Sequence, residues 1–379
     1  MADIASTLPL ETASIHHAYG KFRRYVHRTP LLTNKTIDRI ASSNAGSGAF
    51  KARGAFHAVT HLIEVMGLDE LRRRGLVTHS SGNHAQALAL AASTFDIPAH
   101  IVMPEISTPS KIAGTRAYTE LIRFSGSTSQ EREEVVAQVI AETGAVLVPP
   151  YDHPDIILGQ GTASLELYEQ YNSQQAEGGV ESTLKVVLAP LGGGGLLSGT
   201  AVFFSDKPGT AVIGCEPSYQ GGNDGERGLN AVPPTRIETV KTLTIADGLR
   251  TPVGAIPWDV FTSGSSTKPK YLEGVYSVPE EEIKEATRLV MERMKVFIEP
   301  SAAVPLAVVL YNQKFRRWVY ERQQAEGTEC WDIVIILSGG NTTIEALIGI
   351  FGDVRDADTQ RAEGVVASDG STTVENVAG

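Results

Sequence analysis

Lys51 stands within Gly46 to Phe56, GSGAFKARGAF, between small residues and an aromatic. The apolar residues after it, Ala55, Phe56, Val59, Leu62, Ile63 and Met66, recur at helical spacing, so the lysine falls in the loop or first turn before an amphipathic helix. The positive end of a helix dipole disfavours a protonated amine, which suits a nucleophile of lowered pKa. Taken alone, the stretch also fits a solvated lysine on a loop.

Other loops add chemistry. Leu191-Gly192-Gly193-Gly194-Gly195-Leu196 follows the apolar run LKVVLAP and precedes an apolar helical stretch. Four glycines allow a tight turn in which successive backbone N–H groups converge on one anion, and the next helix adds its dipole. This predicts a phosphate cradle, with a flexible turn as the plainer alternative. Neither Gly-Lys-Ser/Thr nor a GxGxxG with a downstream acid is present, so a nucleotide is not the first expectation. Ser80-Ser81-Gly82-Asn83-His84 lies between a strand and a helix, where hydroxyls and an amide either cap the helix or bind an oxygen anion. Ser338-Gly339-Gly340-Asn341 follows the apolar strand DIVIIL. In open α/β sheets ligands sit beyond the carboxyl ends of strands, which points these three loops at one crevice. Gly214-Cys215-Glu216-Pro217, with Asn223 and Asp224 downstream, offers oxygen ligands of the kind a hard cation such as Mg²⁺ takes.

The elements that must position these loops alternate between strand and helix. Strands are predicted near Leu76 to His79, Ala99 to Met103, Leu121 to Phe124, Ala145 to Val148, Leu184 to Ala189, Ala211 to Cys215 and Ile333 to Leu337. Helices are predicted at Ser14 to Tyr25, Asn34 to Ala41, after Lys51, and at Gln160 to Tyr171, Pro279 to Met294 and Ser301 to Tyr320. Such alternation gives parallel sheets flanked by helices, and seven strands divide more naturally into two lobes than one sheet. The expected division is a large lobe from residues 1–74 and 151–351, a small lobe over 75–150, and a mobile polar tail over 352–379. Gly221 to Pro257 reads as a long irregular connection.

With 379 residues, 42% hydrophobic and 20% charged, the chain has the composition of an ordinary globular protein with room for two cores. A net charge of −11 without a basic block argues against nucleic acid or an anionic membrane as partner. Two cysteines, Cys215 and Cys330, are too few for a disulfide framework and read as core residues in a reducing compartment. The start MADIASTLPLETAS has no basic n-region, and no apolar run reaches membrane-spanning length, so the expected location is cytoplasmic.

The sequence resembles the fold type II pyridoxal-phosphate enzymes of the serine racemase and threonine (serine) dehydratase family. The likeness covers nearly the whole chain, through FKARGA around Lys51, HSSGNHAQALA from His79, YDHPDIILGQGTASLE from Tyr151 and GGGGLLSG from Gly192. It continues with EPSYQGGND from Glu216, TIADGL from Thr244, ERMKVFIEPSAA from Glu292 and LSGGN from Leu337. The resemblance implies a two-lobe α/β fold like the tryptophan synthase beta chain, with parallel-rich twisted sheets flanked by helices. It implies that Lys51 holds pyridoxal 5'-phosphate through its amine and later takes the proton from the substrate α carbon. Phe50 would flank the cofactor ring, Asn83 would bond its phenolic oxygen, Gly192, Gly193, Gly194, Gly195 and Leu196 would hold its phosphate, and Ser338 would face the pyridine nitrogen. A neutral serine there moderates the electron sink and favours elimination or racemisation over transamination. Ser81 would give or take the proton on the opposite face, while Ser80, Gly82 and His84 would grip the substrate carboxylate. Glu216, the carbonyl of Gly222 and Asp224 match the divalent-cation site. The implied substrate is a small β-hydroxy amino acid and the implied assembly a homodimer.

The family's long dehydratases append a C-terminal regulatory domain that is not seen after Gly352, which favours the short dehydratase or racemase branch. Relatives also place a strand and its turn before the lysine loop, whereas here Ile40 to Phe50 are joined by only ASSNAGSGA, too short for a helix end, a full strand and two turns. A structural element is therefore expected to be missing, with sheet edges exposed and the lysine loop unpinned. That departure argues against ATP regulation and raises a rival reading, a catalytically silent homologue acting as a binding protein. A dinucleotide-dependent oxidoreductase would require a fingerprint this chain lacks.

Overall fold

The computed structural model describes residues 4–41, 50–126, 128–178, 183–263, 271–328 and 331–352. Residues 42–49, where the shortened segment lies, the tail from 353 onward and Cys330 fall outside the described residues.

In chain order the elements are helices α1 (Thr12–Phe22), α2 (Lys35–Ala41), α3 (Lys51–Met66) and α4 (Leu68–Arg74). A first alternating set follows: β1 (Leu76–His79), α5 (Asn83–Thr94), β2 (Ala99–Pro104), α6 (Pro109–Arg116), β3 (Ile122–Ser125), α7 (Ser129–Thr143) and β4 (Val146–Leu147). The long helix α8 (Pro154–Gly178) leads into β5 (Leu184–Pro190), α9 (Gly195–Phe204), β6 (Ala211–Pro217), α10 (Asp224–Asn230) and α11 (Ala255–Thr262). Then come β7 (Gly274–Val278), α12 (Glu280–Leu289), α13 (Pro300–Tyr311), α14 (Gln313–Glu326), β8 (Asp332–Ile335) and α15 (Ile344–Phe351).

The strands form two parallel sheets with orders β3-β2-β1-β4 and β7-β6-β5-β8. In each sheet the first strand is interior: the chain builds outward on one side and then crosses back to the other. The reversal falls between β1 and β4 and between β5 and β8, where the outgoing loops diverge and leave a crevice beyond the strand ends. Residues 80–82 leave β1, residues 191–194 leave β5, and residues 338–341 lie past the end of β8. The two sheets thus present their chemistry-bearing loops at equivalent places.

Alternate residues of the interior strands feed different cores, which is why these strands read as continuous apolar runs. Val187 and Ala189 of β5 enter one core with α3, α8 and α9, while Val186 and Leu188 enter another with α12 and α13. Leu76 of β1 joins the first core, and Val77 packs with Val102, Val136 and Val139 under α7.

Helix α8 spaces the site. A Cβ on Gly159 would lie 2.6 Å from the Cα of Gly54 on α3, and one on Gly199 of α9 would lie 2.5 Å from the backbone nitrogen of Gly161. Glycine on both flanks lets α3 and α9 approach α8 at backbone distance. The buried Arg53–Glu166 ion pair, at 2.6 Å, and a 3.3 Å bond from the Gly54 N–H to Gln160 Oε1 lock α3 to α8. The helix that begins at Lys51 and the helix that begins at Gly195 are therefore referenced to one rigid rod.

Several expectations are corrected. Strand β7 was not predicted. The single helix expected over Ser301 to Tyr320 is two, because Asn312 leaves helical geometry and its side chain caps α14 by accepting the Phe315 N–H at 2.9 Å. Gly221 to Pro257 contains α10, a 3₁₀ turn at Asp247–Leu249 and the start of α11, so it is less irregular than its composition suggests. Helix α8 starts at Pro154, six residues before the expected Gln160, and β4 keeps only two residues in the ladder.

The described residues up to Asn341 form one compact unit, and the described residues 342–352 belong to a second. In the second the described part is α15, capped by Thr343 Oγ1, which accepts the Ala346 N–H at 3.2 Å. Among the described residues no helix is long and apolar enough to cross a membrane.

Candidate active site

Lys51 is the first residue of α3, with Phe50 as its N-cap, and its Nζ lies 5.0 Å from the Phe50 ring centroid. The side chain is half-buried, yet enough protein crowds the amine that lost hydration lowers its pKa to about 8, with the Glu299 carboxylate pulling the other way. That is the activation expected of a lysine nucleophile.

Helix α5 starts at Asn83, so the Ser80–Asn83 stretch is a strand-to-helix turn. Ser80 Oγ accepts the Gly82 N–H at 3.2 Å and folds the turn on itself. Ser81 is half-buried between them. Asn83 is fixed at both ends of its amide: Nδ2 donates to Glu299 Oε1 at 2.7 Å, and Oδ1 accepts from Asn341 Nδ2 at 2.9 Å. With its orientation set, the second amide hydrogen stays available to an incoming acceptor. His84 is buried, and burial first, then the charge of Lys51, push its pKa down to about 3. It is a neutral imidazole at working pH.

The third and fourth loops close on the same place. The Glu299 N–H donates to the Gly339 carbonyl at 3.1 Å, which brings the start of α13 against the residue after Ser338. Ser338 is itself buried. The Gly248 N–H donates to Ser301 Oγ at 3.0 Å, and a Cβ on Gly248 would stand 3.8 Å from Asn83 Nδ2. A Cβ on Gly192 would stand 3.0 Å from the Leu249 Cα, so the glycine loop abuts the same 3₁₀ turn. Lys51, the Ser80–His84 turn, the glycine loop and Ser338 are thus drawn to one crevice, as the sequence predicts.

The glycine loop itself is built for backbone exposure. Gly194 has φ +95°, and a Cβ there would lie 2.6 Å from Pro257 Cβ; one on Gly193 would overlap the Tyr151 ring. The loop stays open because Gly193 O accepts the Gly254 N–H at 3.1 Å, while Asp152 caps α11 by accepting the Ala255 and Ile256 N–H groups at 3.0 and 2.9 Å. Gly195 begins α9 and Leu196 lies buried in its first turn. A phosphate-bearing group with an aldehyde fits this site: amides without side chains at one end, an amine of depressed pKa at the other, and buried oxygens of Glu299 and Ser198 that have no hydrogen-bond partner among the described residues.

Glu299 was not singled out from the sequence. It is 2% exposed, and burial, reinforced by Asp247, raises its pKa to about 7, while Lys111, Asn83 and Lys51 hold it down. The signal available was an acid immediately before Pro-Ser at a helix start, a position where an acid usually serves as an exposed cap. Tyr151, pressed against the glycine loop and with its pKa raised to about 12 by burial, was likewise missed.

Glu216 and Asp224 lie apart from the lysine, at the end of β6 and the start of α10. Glu216 Oε1 and Oε2 accept the N–H groups of Gly225 and Glu226, each at 2.9 Å, and Asp224 Oδ2 accepts the Val253 N–H at 2.9 Å. Burial, with the charge of Asp224 second, raises Glu216 well above its ordinary range, and burial raises Asp224 to about 6. Gly222 is the residue next to the acidic turn, its N–H bonded to the Tyr219 carbonyl at 3.0 Å. Among the described residues no cluster of three His, Cys, Asp or Glu side chains suited to a metal occurs.

Two parallel sheets with ligand loops at their topological switch points, a lysine of lowered pKa and a glycine cradle define an α/β enzyme built around a phosphorylated cofactor. The model of the pyridoxal-phosphate dependent enzyme family matches residues 41–339, and the chain belongs to that family, in its serine racemase and dehydratase branch of fold type II enzymes. It is 37% identical over 344 residues to a serine racemase of Arabidopsis thaliana, covering 88% of this chain and 94% of that one. It is 35% identical to an L-threo-3-hydroxyaspartate ammonia-lyase of Saccharomyces cerevisiae, covering 90% and 96%. The solved structure of maize serine racemase superposes with a TM-score of 0.76 at 33% identity, covering 93% of this chain and 98% of that one.

Proposed function

We propose that this chain is a racemase and ammonia-lyase for small β-hydroxy amino acids, acting on serine, threonine or 3-hydroxyaspartate. The observation that carries the reading is the chain of bonds Asn341–Asn83–Glu299–Gly339, which gathers the loops of both sheets around Lys51. Both products share their first half. Bound pyridoxal phosphate supplies a sink for the electron pair left when the α hydrogen departs.

The residues do the rest. Lys51 Nζ would hold the cofactor, and as an amine of lowered pKa it would accept the α proton of the substrate. The amides of Gly192 to Gly195 and the first turn of α9 at Leu196 bind phosphate, Phe50 flanks the ring, and Asn83 presents its fixed N–H to the phenolic oxygen. Ser338 offers the ring nitrogen a neutral hydroxyl. Ser80, Gly82 and neutral His84 bind the substrate carboxylate, and Ser81 Oγ gives a proton to the face opposite Lys51. Protonation from Ser81 inverts the centre, whereas loss of the β hydroxyl leads to keto acid and ammonia.

We assign Glu216, the carbonyl of Gly222 and Asp224 to Mg²⁺ or another divalent cation, because two carboxylates whose proton affinity is raised by burial, and for Glu216 also by the charge of Asp224, would be relieved by a cation. The same reading takes residues 1–74 and 151–351 as a large lobe and 75–150 as a small one, and expects a cytoplasmic homodimer.

The test is a product assay with L-serine, L-threonine and 3-hydroxyaspartate in which keto acid and D-isomer are measured together. Ser81→Ala is expected to abolish inversion and to keep most dehydration of L-serine. Equal loss of both products would remove the role given to Ser81, and no product from any of the three substrates would remove the function.

A further inference from the structure

Lys111 lies on α6, in the first sheet's set of elements, yet it is only 4% exposed. Burying a lysine is costly unless its ammonium is paired. Its ammonium is bonded to the Asp247 carboxylate, which belongs to the 3₁₀ turn beside the glycine loop and is itself partly open to solvent. That turn is anchored to α13 through the bond from the Gly248 N–H to Ser301 Oγ at 3.0 Å.

The stem of Lys111 has a second contact. It occupies the space beside Gly82, where a Cβ would overlap its Cδ and lie 2.9 Å from its Cγ. Gly82 is the residue between Ser81 and Asn83. Helix α6 is held to α5 by the bond from Gln86 Nε2 to the Lys111 carbonyl at 3.3 Å, so the stem is braced against the turn from behind. One side chain therefore touches the Ser81 turn along its length and the second sheet's elements at its tip.

We propose that Lys111 is a positioning residue for the reaction, and that its pair with Asp247 sets how closely the Ser81 turn is held to the reacting centre. It thereby sets the division between racemisation and elimination. The proposal rests on the function assigned above. Removal of the α proton by Lys51 is common to both outcomes, and only inversion needs a donor on the Ser81 face. Proton transfer is sensitive to misplacement of about an ångström. Loosening the turn therefore penalises inversion selectively.

Lys111→Met keeps an apolar stem and removes the charge, and Asp247→Asn breaks the same link at its more exposed end, so the second variant stays folded if the first does not. From L-serine, the ratio of D-serine to pyruvate is expected to fall about tenfold in each. In the double variant it is expected to fall no further, since both changes cut one link. Amide hydrogen exchange over residues 80–88 is expected to quicken in both variants, while residues 300–311 of α13 stay unchanged. A parallel fall of both products with an unchanged ratio, or unchanged exchange over 80–88, overturns the proposal. If the wild-type chain forms neither product, the assigned function fails, and the exchange measurement alone then decides whether Lys111 holds the turn.

Discussion

Asn83 and Glu299, 216 residues apart, are joined by a 2.7 Å hydrogen bond from the amide of a helix's first residue to a buried carboxylate. The bond links the loop leaving β1 to the start of α13, and so one sheet's crevice to the other's. Because Glu299 also bonds Gly339 through its backbone, one residue registers two of the three site loops.

The Glu299 carboxyl makes the stability of the cofactor-free protein pH-dependent. Its pKa rises from 4.5 to about 7, chiefly through burial, so folding favours the protonated form. The cost is absent below about pH 4.5, grows as pH rises to 7 and is constant above. Glu299→Gln keeps an oxygen for Asn83 and removes this cost. Denaturant unfolding of the cofactor-free variant and wild type is expected to show the variant gaining on the order of 3 kcal/mol between pH 4.5 and pH 8. A difference that does not change with pH would contradict the assignment.

The lowered pKa of the lysine moves the pH dependence of cofactor capture to lower pH than an ordinary lysine would give. With a pKa near 8 rather than 10.5, about half of the Lys51 amine is neutral at pH 8, against well under 1% for an unperturbed lysine. Stopped-flow absorbance of pyridoxal phosphate mixed with cofactor-free protein is expected to show a rate that levels off above pH 8, and borohydride is expected to fix the label at Lys51. A rate still climbing tenfold per pH unit at pH 9.5 would show a lysine of ordinary basicity.

The cradle is predicted to fail at one atom. Gly194→Ala introduces a Cβ at φ +95° and 2.6 Å from Pro257, so the loop must shift. An unfavourable backbone of this kind costs about 1–2 kcal/mol, and spent on the cradle it lowers cofactor affinity about five- to thirtyfold. Equilibrium titration of the variant with pyridoxal phosphate measures this, and wild-type affinity would mean the loop does not hold the phosphate.

Much of this was legible beforehand, for physical reasons that differ between elements. Strand β1 falls where predicted, because LVTH is an apolar run bounded by Gly75 and a serine pair. The glycine loop was legible because strand, small residues and helix follow one another without interruption, and the β8 loop because it ends the apolar run DIVIIL. Strand β7, GVYSV, escaped because it lies at the end of its sheet's order with Gly274, Tyr276 and Ser277 half-exposed, and so lacks the continuous apolar run of its neighbours. The break at Asn312 escaped because no glycine or proline marks it. Glu299 escaped because its importance is tertiary: nothing local tells a buried acid at a helix start from a solvated one. The shortened segment that cast doubt on the lysine loop covers residues outside the described ones, while the lysine, the cradle and the Asn83 turn meet regardless.

The strand order has a temporal consequence. The first sheet is made from residues 76–147 and needs no later chain to pair its strands. The second cannot close until β8 reaches β5, with Asp332 opposite Leu184, a loop closure of about 150 residues. As the chain emerges from the ribosome, Lys51 and the Ser81 turn appear early, whereas Asn341, which fixes the orientation of Asn83, appears nearly 300 residues after the lysine. The pocket is therefore completed late in synthesis, and a nascent chain holds its reactive amine for most of its elongation without the groups that would retain an aldehyde on it.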